Sequence, residues 1–197
     1  MTAEPVTDKA RATRDRLARS AGAMFEAEGY GAVSLRGLAT ENGLTTGAIY
    51  GHFRNKADLL AAAIADRITT DLVEPSLGLG EDLPGTLAWQ AARYPDRRGL
   101  RALLVEGAHA AHVDEEAGQT IGAVLGAQLD QWRTQYRDIQ SDGGYEGVDM
   151  DALLTLLLAV ELGLGVLEAT GVGLPAPDTW SATVRRVVEG VEGVARS

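Results

Sequence analysis

Residues 33–60 read VSLRGLATENGLTTGAIYGHFRNKADLL, and the reading of this stretch decides the fold. Ser34 stands just ahead of a short helical run, Leu35–Glu41, and is an N-cap by type. Asn42-Gly43 is a turn dipeptide. Thr45 is a second N-cap, opening a helix expected to reach about Phe53. Asn55 is a third. It opens a helix in which Leu59, Leu60, Ala63 and Ile64 share a face and which continues to about Val73. Two short helices joined by Asn42-Gly43-Leu44 have the proportions of a helix-turn-helix, which offers its second helix to a DNA groove. Short helix pairs are common, so the pattern alone is a weak argument for DNA.

Working outward, the spacing predicts helices on both sides and no strand. Upstream, Thr7 is read as the cap of a helix to about Glu28, stopped at Gly29, with Leu17, Ala21, Met24 and Phe25 as its apolar stripe. Downstream, Pro75 ends the fourth helix and Glu74–Gly85 reads as a loop. Helices then follow over Thr86–Tyr94, about Asp96 to His112, and Glu115 to about Ile139. Ser141-Asp-Gly-Gly is a break. Asp149 caps an apolar helix to Ala169, Gly171–Pro177 is a loop, and Asp178–Ala195 is the last helix. The fold class expected is all-α, with about nine helices. Residues 1–54 are read as a three-helix head and residues 55–197 as a helical body, joined by the long helix that starts at Asn55.

The totals bound the function. The chain has 197 residues and no cysteine, which excludes a disulfide framework and a thiolate metal site and suits a cytoplasmic protein. No stretch near the start resembles a signal peptide, and the longest apolar run, Leu153–Leu167, is interrupted by Glu161 and by glycines, so no membrane is expected. Net charge is −10, but residues 1–60 carry eight Lys/Arg against seven Asp/Glu, and residues 61–197 carry ten against twenty-one. A near-neutral head can bind phosphates if its cations face one way. No phosphate loop, nucleophile elbow or strong ligand set points to an enzyme, and no cofactor or metal is expected.

The residues themselves are more specific than the pattern. Arg14-x-x-Leu17, Ala21-x-x-Met24-Phe25-x-x-x-Gly29-Tyr30, and Val33-Ser34-Leu35-Arg36-x-Leu38-Ala39-x-x-x-Gly43-Leu44-Thr45-x-Gly47-x-Ile49-Tyr50-x-His52-Phe53-x-x-Lys56-x-x-Leu59 together resemble the N-terminal signature of the TetR family of bacterial transcriptional regulators. The resemblance covers residues 14–60. It implies an all-α homodimer that binds double-stranded operator DNA with its head and a small-molecule effector with a divergent body, most often a repressor released by that effector. The family often has Ala where this chain has Asn42, and a long polar or basic side chain where it has Thr46 and Gly51.

Helical geometry assigns roles within the head. Ile49 and Phe53 share one face and are expected to pack inward on Leu38 and Leu17. Gly47, Ala48 and Gly51 line the opposite face, a ridge with almost no side chain that lets the backbone approach the groove floor. Tyr50 and His52 flank it on opposite sides, where they either reach the two phosphate walls or, for Tyr50, pack against the first helix and, for His52, stay solvent-exposed or cap locally. Lys56, at a helix start, is a natural phosphate ligand. Arg36 is read either as a fork onto a guanine edge or as an ion pair with Glu41 or Asp15. Ser34, Thr45 and Thr46 complete the expected DNA-facing set.

The body gives weaker signals. Trp89, Tyr94, Trp132 and Tyr136 are the large aromatics expected to fill core or wall an effector pocket, with Glu106 and His109 as polar candidates. His112 follows at the same spacing. A neutral or cationic apolar effector suits the acidic body; an anion would have to rely on His109, Arg101 or Arg133. Gly118, Gly122 and Gly126 mark either a close neighbouring helix or room for a ligand. Leu153, Leu154, Leu157, Leu158 and Leu164, with Val184, Val187, Val188 and Val191, are expected to form a four-helix seam between two copies. Glu161 is placed at the solvated edge of that seam in preference to a buried polar contact.

Overall fold

The computed structural model describes residues 4–72, 82–141 and 147–195, with side chains over 8–72, 82–137 and 147–190. Among the described residues there are nine α-helices, one short 3-10 turn and no strand. The loop read over 74–85 lies, as far as residue 81, outside the described residues, as do Pro75, Asp142, Gly143 and Gly144.

The first helix, α1 (Glu4–Ala32), begins at Glu4, so Thr7 lies inside it and does not cap it. Pro5 sits in the first turn, where a missing N–H costs nothing. The helix breaks at Gly29, whose φ of +78° is the left-handed conformation that glycine adopts freely. The next helix, α2 (Leu35–Glu41), has the expected bounds, and the Ser34 hydroxyl accepts from the Gly37 N–H at 3.1 Å. At the turn, Gly43 has φ +64°. The third helix, α3 (Thr46–Tyr50), is capped by Thr45, whose hydroxyl accepts from the Ala48 N–H at 3.2 Å. It ends at Tyr50, short of the expected Phe53; past it the His52 N–H bonds only three residues back, to the Ile49 carbonyl at 2.9 Å. Asn55 Oδ1 accepts from the Asp58 N–H at 2.8 Å and opens α4 (Lys56–Leu72).

Further along, α5 (Leu83–Ala92) starts earlier than the periodicity suggested, because Asp82 caps it and Pro84 takes the first turn. A 3-10 turn (Tyr94–Arg97) leads into α6 (Arg98–Val113), followed by α7 (Glu115–Ser141). Asp149 caps α8 (Met150–Ala169) through the Ala152 N–H at 3.0 Å. The last helix, α9, spans Pro177–Ala195.

The chain forms two compact units, 1–70 with 102–127 and 71–101 with 128–197, so α6 and α7 contribute to both. In the first, Leu17, Phe25, Leu38, Ile49, Phe53, Leu59, Leu60, Ile64 and Leu103 are buried. A Cβ at Gly107 would lie 3.0 Å from the Ile64 side chain, so α6 packs on α4 as closely as a bare backbone allows. In the second, Tyr136 and Leu154 centre a cluster with Leu83, Leu129, Trp132, Val148 and Met150. The Ser181 hydroxyl donates to the Ala88 carbonyl at 2.7 Å, joining α9 to α5.

Candidate nucleic-acid interface

Ile49 and Phe53 are fully buried with Leu17 and Leu38, which fixes α3 with its other face outward. Gly47, Ala48 and Gly51 are exposed on that face. A Cβ at Gly47 would meet only the Thr45 hydroxyl at 3.9 Å, so there the ridge is bare without being crowded, whereas a Cβ at Gly51 would lie 3.3 Å from the Ala48 carbonyl. Tyr50 is 58% exposed, which removes the alternative of packing on α1. Thr46 and His52 are half-buried. Arg36 is exposed, and among the described residues it makes no ion pair with Glu41, Asp15 or any other carboxylate. Its guanidinium is available to a nucleic acid.

Four residues at this interface have local work that the sequence only partly indicated. Ser34 and Thr45 spend their hydroxyls as caps. The Lys56 ammonium donates to the Tyr30 and Gly31 carbonyls at 2.6 and 3.4 Å and lies 4.2 Å from the Tyr30 ring centroid. It closes the end of α1 and keeps one N–H in reserve. Asn42 donates to Ser20 Oγ and to the Leu38 carbonyl, both at 2.9 Å, so the amide that departs from the family pattern pins the turn to α1.

Two cations on this side of the head escaped the sequence reading. Arg14 donates to the His52 carbonyl, stacks 4.3 Å from the Phe53 ring centroid and reaches Asp58 at 3.4 Å. Arg54 is three-quarters exposed beside Asp58, with its Nε 3.7 Å from that carboxylate. The signal for Arg14 was its register with Leu17 and Ala21, which puts a cation on a buried stripe and demands a partner.

The body candidates divide between the units. Glu106 and His109 belong to the first. The Glu106 carboxylate accepts the Tyr30 N–H beside the break at Gly29 and so is committed, while His109 and His112 are exposed. Among the described residues no group of three His, Asp or Glu side chains has the arrangement of a metal site. Trp89, Tyr94, Trp132 and Tyr136 belong to the second unit. Trp132 and Tyr136 share the Leu154 cluster. The Tyr94 hydroxyl donates to the Pro175 carbonyl at 2.7 Å, and Trp89 carries the Arg93 guanidinium 4.8 Å from its ring centroid. Of the three aligned glycines, only Gly118 has a close neighbour, the Ala111 backbone; Gly122 and Gly126 face open space.

Glu161 is not at a solvated edge. It accepts from Arg97 Nε at 2.7 Å and faces Arg101 Nη1 at 3.4 Å. Glu168 takes Arg101 in a fork at 2.8 and 2.7 Å. The Arg101 side chain is fully buried. Burial by itself disfavours the charged guanidinium, but the Glu168 hydrogen bond and the two carboxylate charges outweigh it, so the Arg101 pKa is raised. Arg133 is likewise held by Asp130 and Asp151. Arg101 is closed to an anionic ligand, whereas Arg133 pairs at the surface with more than a third of its side chain exposed.

The seam candidates also rearrange. Leu153, Leu154 and Leu164 are buried within their own chain, Leu157, Leu158, Val184 and Val188 are half-buried, and the Val191 side chain lies outside the described residues. The exposed apolar residues of α8 are Leu156, Val166 and Leu167; Val187 on α9 is exposed as well. Taken whole, α8 is long and apolar enough to cross a membrane by length and composition, which the run Leu153–Leu167 alone did not suggest. Its two glutamates are both spent on arginines of the same chain.

Residues 15–63 match the model of the bacterial regulatory proteins of the TetR family. No curated protein matches the chain. Among solved structures, one assigned to the TetR-family transcriptional regulators from Rhodococcus sp. aligns with a TM-score of 0.72 at 17% identity, covering 90% of this chain and 97% of that one. Another with the same assignment, from Mesorhizobium loti, gives 0.69 at 20%, covering 93% and 96%. GusR from Salmonella enterica gives 0.65 at 21%, covering 95% and 96%. These likenesses concern the fold over nearly the whole chain, while the matched head carries the helix-turn-helix. Over residues 15–63 the chain is thus similar to the bacterial regulatory proteins of the TetR family, and over nearly its whole length it shares the fold of these solved structures.

Proposed function

We propose that this protein is a cytoplasmic repressor that holds operator DNA as a homodimer and is released by a small apolar molecule. The observation that carries the DNA side of this reading is the bare, exposed ridge of Gly47, Ala48 and Gly51 on a helix anchored by Ile49 and Phe53. Such a ridge admits the backbone to the groove floor. Residues 1–54 act as the head and 55–197 as the body. Arg36 reads a base edge, Thr46 and the Ala48 methyl add short contacts, and Tyr50, His52 and the α4 start at Lys56 face phosphates. Ser34 and Thr45 serve by capping.

Dimerisation runs through α8 and α9, and the exposed Leu156, Val166, Leu167 and Val187 are its core, in place of the leucines that the chain buries itself. The effector is neutral or cationic and binds among the aromatics of the second unit, with Trp132 and Tyr136 as the first residues to test. The commitment of the buried Arg101 to Glu168 and Glu161 supports that charge preference. An effector that releases DNA must bind the DNA-incompetent state more tightly than the competent one.

The test is selection of an operator from random duplexes with the full-length protein, light scattering at micromolar concentration, and release of the bound duplex by a metabolite panel read through tryptophan fluorescence. The expected result is a two-fold symmetric site bound by dimers and freed by an apolar compound. A monomer as the sole species, or no selected sequence, overturns the reading.

A further inference from the structure

Only five residues make up α3, and Ile49 is the one side chain among them that is buried. Its position depends on what holds its two ends. Thr45 holds the start. The end is held by Arg14 of α1, which makes three contacts with one guanidinium: a hydrogen bond to the His52 carbonyl, a stack on the Phe53 ring, and an ion pair with Asp58 in the first turn of α4. Asp58 is fixed in turn, because its other oxygen accepts the Arg54 N–H at 3.1 Å and its own N–H is capped by Asn55. The planar fork of an arginine can satisfy an oxygen, a ring face and a carboxylate together; an ammonium cannot. The Asp58 charge opposes attraction of phosphates to this side of the head. Its presence there fits a clamp better than a DNA contact.

We propose that Arg14 is a positioning residue for operator reading: held by Asp58, it sets the depth and tilt at which the bare ridge of α3 meets the groove, without itself neutralising a phosphate. The inference rests on α3 being the helix that enters DNA. A short helix whose outward ridge is nearly bare reads sequence only where its backbone is placed correctly, so a small tilt removes specific contacts and leaves the general attraction of the head for DNA intact.

The experiment compares the full-length protein with Arg14→Gln, Arg14→Lys and Asp58→Asn. Each is titrated at several salt concentrations against the selected operator and against a random duplex of equal length, with thermal melts in parallel. Arg14→Gln is expected to lose roughly tenfold on the operator and less than about twofold on the random duplex, with the salt slope unchanged. Arg14→Lys restores only part of the loss. Asp58→Asn keeps an acceptor for the Arg54 N–H but loses the ion pair; it is expected to lower operator preference while random-duplex affinity holds or rises. If Arg14→Gln fails to fold, Arg14→Lys and Asp58→Asn carry the same expectations. Equal losses on both duplexes, with the slope reduced by about one unit, would make Arg14 a phosphate ligand and overturn the inference alone. Full operator affinity in all three variants overturns it as well. An unmutated protein that does not separate the two duplexes overturns the α3 reading and this inference with it.

Discussion

The α2–α3 segment and the charge cluster joining α6 to α8 put their polar groups to opposite uses. In the segment, Ser34 and Thr45 bond to N–H groups three residues ahead, and the outward face is left nearly bare. In the cluster, Arg97 and Arg101 reach glutamates 64 and 67 residues away, and almost nothing is left facing water. The first arrangement frees a surface to be used on something else. The second is consumed within the protein. The difference teaches that residues whose loss would unfold this chain and residues whose loss would silence it are largely separate sets.

The separation is broken most severely at Arg101. Arg101→Ala takes the fork from the largely buried Glu168 and leaves Glu161 with Arg97 alone, and losing one member of a buried pair costs about 3–5 kcal/mol. Denaturant unfolding should show a loss of that size, with the protein at the edge of folding. Operator affinity of the fraction that remains folded should be unchanged. A drop of less than about 1 kcal/mol would mean that the cluster contributes little beyond what surface pairs do.

Gly47→Leu is the converse. Leucine is the better helix former by close to 1 kcal/mol, and the position faces open space, so melting should hold or rise slightly. The added side chain would stand between α3 and the groove floor, and specific binding is expected to fall at least about a hundredfold, roughly 2.7 kcal/mol. Normal operator affinity would show that the helix does not sit as deep as its bare ridge suggests.

These two positions also mark what was legible in the sequence. Gly47 was read correctly as part of an outward ridge because its meaning is local: cap, period and turn lie within a few residues of it. The caps at Ser34, Thr45, Asn55 and Asp149 were legible for the same reason. Nothing within a few residues of Arg101 or Glu161 announces a partner 60 or more positions away, so a solvated edge is the wrong place for Glu161. The leucines of α8 failed differently. A helix apolar all round carries no periodicity that tells inward from outward, so Leu153, Leu154 and Leu164 could not be distinguished from Leu156 until the packing was seen. Lys56 and Glu106, candidates for contact with outside groups, also hold residue 30 of their own chain: Lys56 donates to the Tyr30 carbonyl and Glu106 accepts the Tyr30 N–H.

A finer test of the same separation is Arg36→Ala. The side chain is exposed and free of ion pairs, so stability should stay within about 0.5 kcal/mol. Operator binding should lose about 1–3 kcal/mol, confined to one guanine-containing position, where base preference relaxes. Equal losses on operator and random duplex would reassign Arg36 to a phosphate.

The smallest effect is the most discriminating, because it compares the same local device in the two regions. Thr45 caps α3 and Asp149 caps α8, each through the N–H three residues on, at 3.2 and 3.0 Å. Replacing either by alanine removes one acceptor from a helix start and should cost about 1 kcal/mol of stability in both cases. Under conditions where each variant is more than nine-tenths folded, the functional outcomes should part. Thr45→Ala loosens the start of the helix that meets DNA, so operator affinity falls by a factor of several while random-duplex affinity holds. Asp149→Ala loosens a helix remote in sequence from the head and made of other contacts, so operator affinity at saturating protein stays within about twofold, as expected for independent sites. Matched stability losses with matched operator losses would join the two regions into one cooperative unit and remove the division of labour.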